Sequence, residues 1–448
     1  MRPGRPKGEG VGMSCFAGLL AGLLIWAGLV LPLPAAVPGP ADPREGAPVF
    51  QTAADRETGL VAAMVARIEL MPQVAAWKHR REQPVLDPAR EAAVLRVWRA
   101  EAEALGLAPD PMEEFLRLQI AWARRRQEGL VAEWREAGVL PAEPPDLNAV
   151  LRPRLDEVGR ELLAAAFLAA GEALPASSDP WARLAGIAGL APAELRELRA
   201  ARSALRRTGT ATLAGLRRVG VLRVGTTGDY APFSSDAGGV LRGLDIELAR
   251  DLAGALGLQP VFVPTSWPGL MGDLRAHRFD LALSGITVTA ERAREAGFSV
   301  AYLEDGKTAI TRRVDAPRFG SLAAIDQPGV RVIVNPGGTN ERFVREQLRR
   351  AEIVLHPDNR TIFAALAEGG ADVMFTDGIE VRLQSRRDPR LGGSLAEPLT
   401  RAGKAVLLPR DAEWRGAVDA WLEPLVASGA VAERLERALA EAAGEKRL

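Results

Sequence analysis

The stretch Ala371-Asp-Val-Met-Phe-Thr-Asp-Gly-Ile-Glu380 decides how the chain is read. Val373, Met374 and Phe375 form an apolar run, and Thr376, Asp377 and Glu380 follow at its C-terminal end. The pattern predicts a buried strand that ends in a polar turn. In an open α/β sheet, ligands sit outside the C-terminal ends of the strands. Two readings of the polar end follow. In one, Asp377 caps the next helix and Glu380 completes its solvated first turn. In the other, Glu380 faces a closed cleft where desolvation keeps its carboxyl protonated, so that it serves as an acid.

Around this stretch, strand and helix signals alternate. Gly220-Val-Leu-Arg-Val-Gly225 reads as a strand, Leu244 to Gly257 as a helix and Gln259 to Pro264 as a second strand. Further strands are predicted at Asp280 to Leu283, Thr308 to Thr311, Val330 to Val334, Ile353 to Leu355 and Ala405 to Leu408. Alternation of this kind predicts parallel sheets in an α/β fold. No Gly-x-Gly-x-x-Gly or Gly-Lys-Ser/Thr motif opens a helix, which speaks against nucleotide binding.

Upstream, residues 55–207 show helical periodicity and almost no strand signal. Leu60, Val61, Met64, Val65 and Ile68 recur at three and four residues, the mark of a helix with one buried stripe. Pro72 kinks or interrupts it. Asp87-Pro88 opens a second helix to about Leu105, and Asp110-Pro111 a third to about Ala137. Pro141 to Pro145 is a rigid connector. Asp146 or Asn148 starts a fourth helix through Ala170, and shorter helices fill residues 180–206. Polar residues on these helices form a pattern: Arg67 and Lys78 lie eleven residues apart, close to three full turns. Gln127 sits among apolar Ala121, Trp122, Ala123 and Leu130, whereas Arg124, Arg125 and Arg126 read as a solvated arginine face.

The totals agree with a folded chain of two or three domains: 448 residues, 47% apolar and 25% charged. With 57 basic and 57 acidic side chains there is no basic field for nucleic acid. Cys15 is the one cysteine, so disulfides, a cysteine-rich zinc site and a cysteine nucleophile in the body are excluded. His79, His277 and His356 are scattered without metal-ligand spacing, so no metal and no cofactor are expected. His356 reads as a structural loop residue and His79 as a solvated neighbour of Lys78. Residues 1–41 combine basic Arg2, Arg5 and Lys7 with the apolar run Phe16 to Leu33 and small residues at Ala35-Ala36 and Pro40-Ala41. They predict a cleaved export signal and a periplasmic protein, with an uncleaved anchor as the rival. Contact with a membrane is expected only through this segment.

The helical part resembles the exported, gamma-class chorismate mutases. The carriers are Ala66-Arg67-Ile-Glu, Val74-Ala-Ala-Trp-Lys78, Asp87-Pro-Ala-Arg90, Gln119-Ile with Gln127, and Pro144-Pro-Asp-Leu leading to Leu151-Arg152-Pro. The resemblance implies that Arg67, Arg90 and Arg152 hold the two carboxylates of chorismate, with Asp87 at the same site. It implies that Lys78 and Gln127 bond the ether oxygen. Ala123 stands where the family has Ser or Thr, Val94 occupies a position that carries a polar residue in relatives, and the disulfides of some relatives are missing. A homodimer through this domain is a further expectation.

Residues 216–448 resemble the type 2 periplasmic solute-binding proteins in Leu222-Arg-Val-Gly, Pro232-Phe233-Ser, Gly243-Leu-Asp-Ile-Glu247 and Ser284-Gly-Ile-Thr-Val-Thr289 with Glu291-Arg292. The implied fold is an all-α N-terminal domain (55–207), joined by a short Thr208-Gly-Thr linker to an α/β domain of two lobes, 216–306 with 405–448 and 310–400. The lobes are joined by crossings near Tyr302 to Ile310 and Leu399 to Ala405. A closer resemblance is to cyclohexadienyl dehydratase. It is carried by Thr226-Thr-Gly-Asp-Tyr230, Val263-Pro-Thr-Ser-Trp267-Pro, Asp305-Gly-Lys307-Thr, Val334-Asn335-Pro-Gly-Gly-Thr339-Asn340-Glu, His356-Pro-Asp-Asn359 and Thr376-Asp-Gly-Ile-Glu380. Gly378 replaces the family's Ala.

This second resemblance implies prephenate or arogenate as substrate, with Glu380 as general acid and Lys307 touching a carboxylate or the ring hydroxyl. Arg292 then clamps the side-chain carboxylate, and the Gly337-Gly338-Thr339-Asn340 turn takes the ring carboxylate. Trp267 and Tyr230 wall the ring. Ser284, Thr287 and Asn335 complete the binding set, and Asp377 is left to contact an amino group or support from behind. The implied protein is an exported bifunctional enzyme, and the competing reading is a solute receptor for an amino acid or aromatic acid with a helical dimerisation domain.

Overall fold

A computed structural model describes residues 51–174 and 179–444; the expected export signal lies outside them. The chain is helical first. Helix α1 (Ala53–Glu69) begins in a reciprocal cap: Asp55 N donates to Thr52 Oγ1 at 3.1 Å and Thr52 N to Asp55 Oδ2 at 2.9 Å. Pro72 lies in the first turn of a separate helix, α2 (Met71–Arg80), so the chain breaks at Leu70 and does not merely kink. Helix α3 (Pro88–Ala104) starts behind Asp87, and α4 (Pro109–Ala137) ends on left-handed Gly138. Asp110 is not the cap expected of it; Ala108 holds that place and Asp110 sits in the first turn, where its charge suits the helix dipole. Asp146 caps a π-helical turn, Leu147–Leu151, by accepting from Asn148 N and Ala149 N, and α5 (Arg152–Ala169) continues from it.

Leu60, Met64, Phe115, Leu162 and Phe167 fill the core between these helices. A buried ion pair staples the bundle: Arg202 to Glu57 at 2.5 Å, with the Trp181 indole donating to the same carboxylate at 2.9 Å.

The two lobes follow. In the first, strands run in the order Gln259–Pro264, Val221–Thr226, Leu281–Ala282, Leu407–Leu408, Gly297–Phe298; in the second, Glu352–Leu355, Arg331–Val334, Val373–Asp377, Lys307–Arg312, Leu391–Gly393. The sheets are mixed, not parallel throughout. Leu407–Leu408 and Lys307–Arg312 run antiparallel to both neighbours, because these strands carry the chain back from the crossings. The crossings pair with each other as a two-stranded ribbon, Leu303–Asp305 against Ala402–Lys404. The C-terminal helix Ala430–Ala443 reaches across the boundary, and its Leu435 and Leu439 share a core with Ile379 and Leu383 of the second lobe.

The segment read as a linker is pinned instead of free. Thr208 N bonds Gly106 O at 2.8 Å, Ala108 N bonds Arg206 O at 3.0 Å, and Trp414 Nε1 bonds Ala211 O at 2.9 Å. Beside it the Arg223 guanidinium stacks 4.1 Å from the Phe167 ring while paired with Asp280 at 2.5 Å. The bundle and the first lobe therefore share one core. Gly106 is the tightest point: its φ is +65° and a Cβ there would meet Gly209 O at 2.2 Å. Gly106→Ala is expected to cost about 2–4 kcal/mol, combining left-handed strain with overpacking; an unchanged urea midpoint would contradict a locked junction.

Candidate active site

The strand Val373–Asp377 is buried along its whole length, and it delivers Asp377 and the helix Gly378–Arg387 to the boundary between the lobes. The reading of the turn as a helix cap with a solvated first turn does not hold. Asp377 makes no side-chain cap. Asp305 of the hinge does that work, accepting from Gly378 N at 2.9 Å and Ile379 N at 3.2 Å. A side chain at 378 would meet Asp305 Oδ1 at 2.9 Å, which accounts for glycine there. Glu380 is 3% exposed and not solvated. Its Oε2 accepts a short hydrogen bond from the Thr376 hydroxyl. Burial raises its pKa to about 8, the Thr376 bond opposes the rise, and the nearby Asp377 charge adds to it.

Asp377 has the opposite state three residues away. Burial alone would raise its pKa, but Lys307 Nζ at 2.6 Å from Oδ1 and Lys404 Nζ at 2.5 Å from Oδ2 hold it far below the usual carboxylate range. The Tyr230 hydroxyl also donates to Oδ2, at 2.6 Å. A buried, ionised carboxylate with every near position occupied by a donor thus faces a buried, neutral one.

The cleft around them is lined from both lobes. Tyr230 and Trp267 meet edge to face at 5.6 Å, and the Arg292 guanidinium lies 6.0 Å from the Trp267 ring. Arg292 is 8% exposed, its guanidinium donates to Thr287 O at 3.0 Å, and its burial brings its pKa down to about 10. It remains a cation with free donors for a carboxylate. Opposite, Asn335, Gly338, Thr339 and Asn340 line the cleft at the start of helix Thr339–Gln347, whose first turn has no side-chain cap. Gly337 has φ +77°, and a Cβ there would meet Pro268 Cγ at 2.5 Å, so this turn closes on the first lobe only as glycine.

Two of the expected residues lie elsewhere. Ser284 is fully buried beneath the cleft, hydrogen-bonded to Thr227 N and to the Thr227, Ser234 and Thr226 hydroxyls, and does not line the cavity. Lys307 stands behind Asp377 and Asn340, which take its ammonium at 2.6 and 2.5 Å, so it is not free to touch a ligand carboxylate. Thr287 lines the wall and accepts from Lys404 at 2.9 Å. His356 bonds Thr361 Oγ1 at 2.8 Å and stays structural.

Sequence reasoning missed Lys404 and Asn359, both lining the cleft. Lys404 had a detectable signal: only five of the 57 basic residues are lysines, and Lys78, Lys307 and Lys404 are the three in the body of the chain. Asn359 donates from Nδ2 to Asp229 O at 2.9 Å, which fixes its amide, while its buried Oδ1 has no partner among the described residues.

The helical candidate site is more open. Arg67 has a buried Nη1 without a partner among the described residues, and burial lowers its pKa to about 10. Gln127 is 8% exposed; its Nε2 bonds Ala123 O at 3.2 Å and the weakly accepting Met71 sulfur at 3.3 Å. Lys78 donates to Val85 O at 2.7 Å, and its pKa is lowered by burial against the pull of Asp87 and with the repulsion of Arg152. Asp87 is the cap of α3, accepting from Arg90 N at 3.0 Å, which is a structural engagement in place of the expected ligand contact. Arg90 lies 3.8 Å from Asp156 and half exposed, and Arg152 bonds Asn148.

Comparison with known proteins follows the same division. Residues 222–441 match the family of bacterial extracellular solute-binding proteins, family 3, and residues 53–128 match chorismate mutase type II. A cyclohexadienyl dehydratase of Pseudomonas aeruginosa is 52% identical over 220 residues, covering 48% of this chain and 82% of that protein. The L-cystine-binding protein TcyJ of Escherichia coli K12 is 30% identical over 159 residues, 35% of this chain and 59% of that protein. Among solved structures, an ancestral amino acid-binding protein described as a precursor of cyclohexadienyl dehydratase is 31% identical with a TM-score of 0.48, covering 51% of this chain and 99% of that one.

The cap at the helix carrying Glu380 is directly testable. Asp305→Ala removes the acceptor for two backbone N–H groups and is expected to lower stability by about 1–2 kcal/mol, with faster amide exchange at Ile379. Unaltered exchange at Ile379 would show that Asp305 does not hold this helix.

Proposed function

Since the chain belongs to the cyclohexadienyl dehydratase family within the bacterial extracellular solute-binding proteins of family 3, and carries a chorismate mutase type II segment ahead of it, we propose that it is a bifunctional enzyme. It rearranges chorismate to prephenate and then dehydrates and decarboxylates prephenate to phenylpyruvate, or arogenate to phenylalanine. The observation that carries this reading is Glu380, a carboxyl with pKa about 8 in a closed cleft that also holds Arg292. A receptor has no use for a neutral acid at its ligand.

In the second step Glu380 gives its proton to the ring hydroxyl. The C–O bond breaks and water leaves; the ring carboxylate departs as carbon dioxide, and its bonding pair completes the aromatic ring. Arg292 pairs with the side-chain carboxylate, and the N–H groups at the start of helix Thr339–Gln347 receive the ring carboxylate. Asn359 Oδ1, which lacks a partner among the described residues, accepts the proton of the ring hydroxyl and so orients its lone pair toward Glu380. Trp267 and Tyr230 cover the ring and exclude water.

The first step needs no proton. It is unimolecular, so the helical domain contributes by holding the compact conformer and stabilising charge on the ether oxygen. Arg67, Arg90 and Arg152 take the carboxylates, and Lys78 and Gln127 the ether oxygen. The apolar run near the N-terminus and the solute-binding family support export to the periplasm.

Supplied with chorismate, the chain is expected to release phenylpyruvate. Glu380→Gln should accumulate prephenate, with dehydration lowered about 10²–10⁴-fold and the mutase rate intact. Full dehydration by this variant places the acid elsewhere; tight amino-acid binding without either activity restores the receptor. Dehydration should be level below the Glu380 pKa and decline above about 8 as the acid ionises. The mutase rate should stay level across neutral pH, because a glutamine donates in every protonation state; a steep loss between pH 5 and 8 would count against Gln127.

A further inference from the structure

We propose that Lys404, on the returning hinge strand, is a positioning residue of the dehydratase site: with Lys307 it brackets the Asp377 carboxylate beside Glu380, and its own charge sets the alkaline limit of the dehydration. The inference rests on the dehydratase reading above and adds a residue that acts through another.

Lys404 is 1% exposed, in a chain that otherwise builds its positive charge almost wholly from arginine. A buried lysine is a compact point charge with rotatable donors, where an arginine would demand a planar partner. Its ammonium joins the lobes. It lies 2.9 Å from Thr287 Oγ1 in the first and 2.5 Å from Asp377 Oδ2 in the second, with the Tyr230 and Phe233 rings 5.3 and 5.5 Å away. Lys307 takes the other oxygen of Asp377 at 2.6 Å. Two cations therefore surround one anion, and Glu380 feels all three.

The groups that face this acid come from every side. Asp377 and Thr376 belong to the strand before it, and Arg387 to its own helix. Lys307 and Lys404 come from the hinge, and Tyr230 from the first lobe; Asp305 faces Asp377. Asp377 holds the proton on Glu380, and the two lysines pull it off. Removing one lysine leaves Asp377 still paired through Lys307 and relieves Glu380 of a cation. Removing the Asp377 charge leaves both lysines unopposed.

The two substitutions therefore move the alkaline limb of the prephenate dehydration profile in opposite directions. Lys404→Met should raise it by about one pH unit and Asp377→Asn should lower it by about one unit, the size that one nearby charge produces. Both should reduce kcat. Lys404→Arg keeps the charge and should keep the limb in place while kcat falls. The mutase rate of each variant, read on the same full chain, reports whether it has folded. If Lys404→Met does not fold, the limbs of Lys404→Arg and Asp377→Asn decide. A limb that stays put in Lys404→Met or Asp377→Asn, or that moves the same way in both, overturns the inference and leaves the dehydratase reading standing. A folded wild-type chain without dehydration overturns that reading and the inference with it.

Discussion

Two carboxyls three residues apart, both shut off from water, are held in opposite protonation states, and the architecture of the two lobes serves that difference. Burial alone would neutralise Asp377 and Glu380 alike. Asp377 stays ionised because the hinge brings it two ammonium groups, Lys307 and Lys404, and the first lobe adds the Tyr230 hydroxyl. Among the described residues Glu380 has the Thr376 hydroxyl as its close hydrogen-bond partner, and the Asp377 charge raises its proton affinity further. In the proposed reading a binding lobe becomes a proton-donating one through the placement of a few charges, without any change of fold.

The helical half solves a different problem. A unimolecular rearrangement needs orientation and a donor to the breaking bond, so its residues are cations and a glutamine, with no tuned acid. Arg90 and Arg152 stay accessible to solvent, while Arg67 and Gln127 keep buried polar atoms that have no partner among the described residues. The product of one half is the substrate of the other. The pinned segment around Gly106 and Gly209 and the Arg223–Phe167 stack hold the bundle on the first lobe.

Much of this was legible in the chain itself. Helix periodicity and the Asp-Pro starts marked the bundle, and strand–helix alternation the α/β domain. The mixed sheets were not visible, because strand direction depends on where the chain crosses between lobes, a tertiary property. Asp110 misled as a cap, since Ala108 supplies the required extended backbone one turn edge earlier. In the cleft, Arg292, Trp267, Tyr230 and Glu380 were named from motifs, and the structure brings them together. Ser284 belongs to a motif whose hydroxyl points into a network below the floor, and Asp305 exchanged roles with Asp377 across 72 residues of chain. Lys404 escaped because its surroundings, Ala402-Gly-Lys-Ala405, show no pattern; only the rarity of lysine in this chain marked it.

The protonation of Glu380 is measurable without substrate. A difference infrared spectrum between the wild-type chain and Glu380→Gln, followed across pH, isolates this one carboxyl. The account predicts a protonated carboxyl band at neutral pH that gives way to carboxylate with a midpoint near 8. A midpoint near the ordinary glutamate value of 4.5 would mean an ionised Glu380 in the cleft and would contradict its role as the acid.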